Sequence, residues 1–243
     1  CPSVGACTFL GTASTMQCMA EALGMALPGN ALVPATMRDL TEYSRKAGKQ
    51  VVRLAKAGIT PSMIMTKEAF RNAIVVHSAI GGSTNALIHL PAIAKELGIE
   101  LDPELFNEIN RKIPHIGNVN PSGKHLTESF WFAGGIPMVQ IMLKDHLDLD
   151  VLTVTGKTLG ENLEEIQRDG FFERNIGYLH NYGLEREDVI TPVETTKEMG
   201  SIAVLKGNLA PEGAVVKYSA CEESMRKHQG KAVVFNCEED AHD

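Results

Sequence analysis

Between residues 12 and 190 apolar residues recur at helical spacing; beyond Gly200 they gather into short β-branched runs. Met16, Met19, Ala20, Leu23 and Leu27 trace the face of a first helix. Thr12 or Ser14 would cap it, Gly24 weakens it, and Pro28-Gly29 would end it. A second helix is predicted over 36–57, stopping at Gly58, with Arg38, Glu42, Arg45 and Lys49 on its polar side. Thr60-Pro61-Ser62 opens a further segment, and another helix starts at Thr66 and runs towards Val76. Leu87, Leu90, Ile93 and Leu97 continue the helical period after Gly81-Gly82-Ser83-Thr84-Asn85, with Gly98 as the stop. Pro91 falls inside that pattern, so the helix is expected either to begin near Ile88 or to kink. Shorter helices are predicted over 102–111, over 130–143 with an interruption at Gly134-Gly135-Ile136-Pro137, and over 158–167. Three strands are predicted at 201–205, 214–217 and 231–235, separated by Gly207-Asn208 and Pro211-Glu212-Gly213. The pattern therefore reads as an α/β chain in two parts. A mainly helical region covers 1–195, and the start of a β-rich domain covers 196–243.

Composition narrows the classes of function. Apolar residues make up 44% of the 243 and charged residues 22%, the balance of an ordinary globular chain rather than of a disordered or fibrous one. With 23 Lys and Arg against 30 Asp and Glu, the net charge is −7. Such a chain lacks the basic footprint that a phosphate backbone demands, so no nucleic-acid partner is expected. No apolar run approaches the roughly 18 residues of a membrane span. No secretory leader pattern precedes Cys1, and five cysteines are an odd number for a disulfide framework. The expected setting is cytoplasmic, with no membrane partner. A chain opening on Cys1 rather than Met reads as a piece of a longer polypeptide.

The candidate chemistry is local. Val154-Thr155-Gly156-Lys157-Thr158 lacks the upstream glycine of a phosphate-binding loop, since that position is Val151, and it reads as a structural or substrate-contacting turn. His77, His89, His115 and His125 are too scattered to define a zinc site. Cys7 stands in a glycine-containing loop just ahead of a helix start, where the macrodipole favours a thiolate. Such a thiolate could be a nucleophile or a ligand to iron and sulfur. The glycine turn at 81–85 presents N–H groups and hydroxyls to a helix N-terminus, an arrangement suited to an anion.

Gly5-Ala6-Cys7, Gly11-Thr12-Ala13-Ser14-Thr15-Met16 and Ala20-Glu21-Ala22-Leu23-Gly24-Met25 resemble the dihydroxy-acid and phosphogluconate dehydratase family. In the same order follow Gly81-Gly82-Ser83-Thr84-Asn85-Ala86 with His89-Leu90, Ala133-Gly134-Gly135-Ile136-Pro137, Thr153 to Thr158, and Ala203 to Pro211. The resemblance covers nearly the whole chain. It implies a partial dehydratase domain followed by a barrel-like one. The implied activity is that of a hydro-lyase turning a 2,3-dihydroxy carboxylate into a 2-keto acid. It also implies an iron–sulfur cluster, [2Fe–2S] or [4Fe–4S], held by three cysteines with one iron open, and a nearby Mg2+.

Cys7 matches the third cluster cysteine of the family. The other two cysteines, the magnesium ligands and a modified lysine belong to family segments upstream. The serine base and a further magnesium ligand belong downstream, so no catalytic base is assigned within this chain. Ser83, Thr84, Asn85 and His89 are the expected substrate-binding residues. The small-molecule partner would be a hydroxy acid, and the full-length protein a dimer or tetramer. The loop after Cys7 departs from the Met-Tyr-Thr-Ala-Asn-Thr-Met of the branched-chain biosynthetic enzymes and looks like the sugar-acid dehydratases, which favours xylonate or arabinonate. Cys1-Pro2 echoes the biosynthetic branch, which keeps a dihydroxy-acid dehydratase as the alternative, beside a non-catalytic relative.

Overall fold

The computed structural model describes residues 7–196 and 199–242. The first helix, α1, spans Thr12–Ala22 and ends earlier than Pro28-Gly29. Leu23 caps it, and Gly24 turns into the left-handed region at φ 75°, where a side chain would also meet Thr153 Cγ2 at 3.1 Å. α2 covers Asp39–Ala57 and stops at the left-handed Gly58, as the sequence indicates, with Glu42 between Arg38 and Arg45. No residue of α2 is fully buried. The single turn α3, Pro61–Ile64, leads into α4, Lys67–Ile80, which Thr66 caps by accepting the Ala69 N–H.

α4 is the centre of the molecule. Every residue from Ala73 to Ile80 is buried, and α1, α6 and α8 pack around it. It runs a turn beyond Val76 because the polar residues there have internal partners. Ser78 Oγ donates to Asn110 Oδ1 at 3.0 Å, His77 Nε2 bonds Ser83 O at 2.9 Å, and the stop falls on the left-handed Gly81. α5, Ala86–Glu96, begins two residues ahead of Ile88 and runs on through Pro91. α6 is Pro103–Asn110, with Asp102 as cap. α7, Thr127–Phe132, and α8, Gly135–Met142, are separated by Gly134 at φ 117°. α9, Leu159–Arg168, opens on a capping box between Thr158 and Glu161. α10, Phe171–His180, and the turn α11, Arg186–Val189, were not expected from the periodicity. Asn175 occupies the buried face of α10 and donates to Trp131 O at 3.1 Å, which breaks the apolar period.

The β-rich expectation holds only in part. β1, Ala203–Leu205, and β2, Ala214–Val216, form an antiparallel ribbon with Val204 opposite Val215. Residues 231–235 form no strand and lie exposed, because no neighbouring strand is there to pair with them. A barrel is not formed among the described residues, and a last short helix, α12, covers Glu238–His242. Among the described residues no helix is long and apolar enough to cross a membrane.

Candidate functional site

Three chain segments converge beside the start of α1. Cys7 is exposed, while its backbone is pinned: Ser14 Oγ and Thr127 Oγ1 both donate to Cys7 O at 3.0 Å. Two further bonds, Leu10 N to Asn120 O at 2.8 Å and Thr127 N to Thr8 O at 3.0 Å, bind this loop to the 118–127 segment. The Gly81–Asn85 turn approaches from the other side. Ser83 donates its N–H to Thr15 Oγ1 at 2.9 Å, and Asn85 Nδ2 donates to Thr12 Oγ1. The expected substrate residues and the expected metal residue therefore sit on the two flanks of one helix start.

The turn itself is packed closely. A Cβ on Gly82 would fall 2.2 Å from His77 Cδ2, and one on Gly81 would fall 2.7 Å from His115 Nε2, so only glycine fits at either position. Its N–H groups are largely engaged inside the protein. Gly82 N donates to His77 O, Asn85 N to Ser83 Oγ, and Ala86 and Leu87 N to Ser83 O and Thr84 O. The anion-receiving character expected of the backbone is thus reduced, and what the turn offers outward are side chains. Ser83 and Thr84 are half-buried and Asn85 is exposed. The His89 ring, half-buried on α5, forms no hydrogen bond among the described residues.

Among the described residues, no three His, Cys, Asp or Glu side chains converge on a common point. The thiol of Cys7 is exposed on a fixed loop and fits the part of one ligand to an iron–sulfur cluster. Cys18 does not fit: it is buried in α1, where burial and the Glu21 charge push its thiol upward and keep the proton on it. Cys221 and Cys237 lie on the C-terminal segment, and Cys1 falls outside the described residues. The donor set here does not fit a magnesium ion, which wants several oxygen ligands.

The 153–158 turn has a structural task. Thr155 Oγ1 donates to Asn162 Oδ1 at 2.8 Å, and Asn162 Nδ2 donates to Thr153 Oγ1 at 2.7 Å. Lys157 pairs with Glu165, and Thr158 caps α9.

Sequence reasoning missed two buried ionisable groups near the site. Glu21, on α1, accepts N–H bonds from Gly29 at 2.6 Å and Ala31 at 2.7 Å. Burial pushes its carboxyl up to about 7, against the pull of those backbone bonds. Its position three residues after Cys18, on the buried face, was the available signal. His77 is held neutral: burial, with the Lys217 charge adding to it, brings it down to about 4, while the Ser83 bond works the other way.

Known proteins share this sequence along its length. The family described as Dihydroxy-acid/6-phosphogluconate dehydratase N-terminal matches residues 1–162, and its C-terminal counterpart matches 188–243. A protein named dihydroxy-acid dehydratase from Halothermothrix orenii is 44% identical over 100% of this chain and 42% of its own length. One of the same name from Moorella thermoacetica is 46% identical over 99% of the chain and 41% of its own length. A third, from Methanothermobacter thermautotrophicus, is 41% identical over 99% and 41%. The chain thus spans about two fifths of the length of these curated relatives.

Proposed function

Because the chain belongs to the dihydroxy-acid/6-phosphogluconate dehydratase family, we propose that it serves the dehydration of a 2,3-dihydroxy carboxylate to a 2-keto acid. The names of its relatives favour the dihydroxy-acid dehydratase reading over the sugar-acid one. The loop after Cys7, whose sequence favours sugar acids, has a packing explanation that needs no substrate. Ser14 and Thr15 are fully buried; one ties down Cys7 O and the other accepts from Ser83 N. A Cβ on Gly11 would lie 2.9 Å from Phe9 Cε2, so that glycine answers to a neighbouring ring.

The observation that carries the proposal is the placement of an exposed thiol and the Gly81–Asn85 side chains on the two flanks of the α1 start. An iron–sulfur cluster bound through Cys7 would supply Lewis acidity for loss of the C3 hydroxyl. The chain's own residues do the positioning. Ser14 and Thr127 fix the Cys7 loop, while Thr12 and Thr15 fix the turn that bears Ser83, Thr84 and Asn85. These side chains are the proposed contacts for the substrate's hydroxyls. Loss of the C2 proton with the C3 hydroxyl gives an enol, which tautomerises to the ketone.

The test uses the full-length enzyme. Cys7→Ser is expected to remove most of the visible iron–sulfur absorption and nearly all turnover. Cys18→Ser should keep the absorption, since that thiol lies in the core. A Cys7→Ser protein with full cluster content would overturn the assignment.

A further inference from the structure

Lys217, just past the end of β2, carries a charge that nothing among the described residues balances. Its Nζ is sealed from solvent and has no hydrogen-bond partner among the described residues. No carboxylate among the described residues bears on it either, and burial pushes its ammonium down to about 8. An unpaired cation in such a place is among the costliest arrangements that a folded chain retains.

The surroundings place Lys217 beside the glycine turn. The Lys217 charge bears on the His77 ring, which places it beside the residue that holds Ser83 O. Two residues on, Ser219 Oγ lies 2.8 Å from Ser122 Oγ, and Ser122 Oγ lies 3.2 Å from where a Gly81 Cβ would be. The C-terminal segment therefore covers the same glycine turn that bears the candidate substrate residues.

Donors and acceptors around Lys217 are unevenly matched. Ser219 donates to Ser201 O, so Ser122 donates to Ser219, and both hydroxyl protons are used. His77 Nε2–H donates to Ser83 O, which leaves Nδ1 as a bare acceptor without a partner. Among the described residues His77 Nδ1 and Ser201 Oγ likewise have no partner, and neither carries a negative charge to set against the ammonium. The group that answers both its three N–H donors and its charge is an anion with several oxygen acceptors, a carboxylate.

We propose that Lys217 receives the carboxylate of the substrate beside the Gly81–Asn85 turn. The assignment rests on the dehydratase reading for the identity of the anion, and on the structure for the need of one. It gives the C-terminal segment a binding role, contributed across the ribbon rather than by the helical body.

The experiment compares wild-type full-length enzyme with Lys217→Met and Lys217→Arg. A 2-hydroxy carboxylate without a 3-hydroxyl binds but has nothing to eliminate, so calorimetric titration with it reads affinity apart from turnover. Binding is expected to weaken by 10-fold or more in Lys217→Met and to recover partly in Lys217→Arg. The corresponding amide should bind all three proteins alike. KM for the dihydroxy acid should rise with the same ranking, with iron–sulfur absorption unchanged. The melting temperature of Lys217→Met should rise, because a sealed, unbalanced charge has been removed; Lys217→Gln serves if the methionine variant misfolds.

Carboxylate affinity within two-fold of wild type in Lys217→Met overturns the proposal, as does a wild-type protein that binds no carboxylate. If wild type binds the carboxylate through Lys217 yet dehydrates nothing, the functional reading fails and this one stands. Dehydration that proceeds with KM and kcat indifferent to Lys217 overturns the carboxylate role and leaves the functional reading in place.

Discussion

At the scale of single residues, two buried groups make opposite demands on pH. Glu21 has its carboxyl raised from an ordinary 4.5 to about 7, so between those values the folded protein holds a proton that the unfolded chain has lost. Its contribution to stability is complete below pH 4.5 and is lost as pH rises through 7. His77 is lowered from 6.5 to about 4, so in that window the unfolded chain holds the extra proton. Its contribution is complete above pH 6.5 and is lost as pH falls through 4. The two windows overlap and the shifts are similar in size, so their slopes offset each other. Melting temperature in the wild-type protein is therefore expected to vary little between pH 4.5 and 6.5 on account of this pair. Glu21→Gln should expose the His77 slope, with stability climbing as pH rises through that window. His77→Gln should expose the Glu21 slope, with stability falling. Glu21→Gln also sets an amide NH2 against the N–H of Gly29 or Ala31, at a cost of about 1–3 kcal/mol at any pH. Two variants with the wild-type profile would refute the pairing. None of this was legible in the sequence, because an isolated Glu or His carries no mark of burial until the helix face is known.

At the scale of elements, the caps and glycine stops were the dependable signals. Gly58, the Asp102 cap and the Thr158–Glu161 box lie where the periodicity put helix ends. α10 escaped because its buried face carries a bonded Asn175, and the run at 231–235 misled because β-branched residues without a neighbouring strand make no sheet. The hold of α6 on β1 was likewise invisible, for two asparagines make it. Asn107 grips the Val204 backbone twice, donating from Nδ2 to the carbonyl at 2.9 Å and accepting the N–H on Oδ1 at 2.7 Å. One turn later, Asn110 Oδ1 accepts from Ser201 N at 2.9 Å, Ile202 N at 3.1 Å and Ser78 Oγ at 3.0 Å. β1 is thus held on α6 by side chains that imitate a strand. Asn110→Ala leaves three buried donors unsatisfied, and the expected loss is about 3 kcal/mol or more. Amide exchange should report it locally: Ser201, Ile202 and Val204 should lose protection before the α4 core does. Uniform loss across the molecule would mean that the clamp is not a separate joint.

At the scale of the whole molecule, the candidate site was legible as a set of motifs but not as a place. Cys7 and the Gly81–Asn85 turn are more than seventy positions apart, and only α4, buried along its second half, carries the turn back to the start of α1. Lys217 arrives from farther still, by way of the asparagine joint and the ribbon. The surface changes character along this path. The helical body hides most of its large apolar side chains, with Ile88 at 67% and Val51 at 60% among the exceptions, whereas Leu209 is 98% exposed, Val234 86% and Val233 70%. A segment of that kind favours association with another apolar surface. A cluster also needs several thiolates at one point, and the described residues bring no three potential ligands together there. We therefore expect the 243-residue chain, purified alone and supplied with iron and sulfide, to show no dehydratase turnover. It should instead bind an apolar dye through its C-terminal segment and elute from a sizing column ahead of a 26.3 kDa monomer. Replacing Val233 and Val234 with Lys should reduce both effects without restoring activity. Cluster-dependent turnover by the isolated chain would show that a cluster finds all its ligands among these residues, and would overturn the placement of the site at the two flanks of the α1 start.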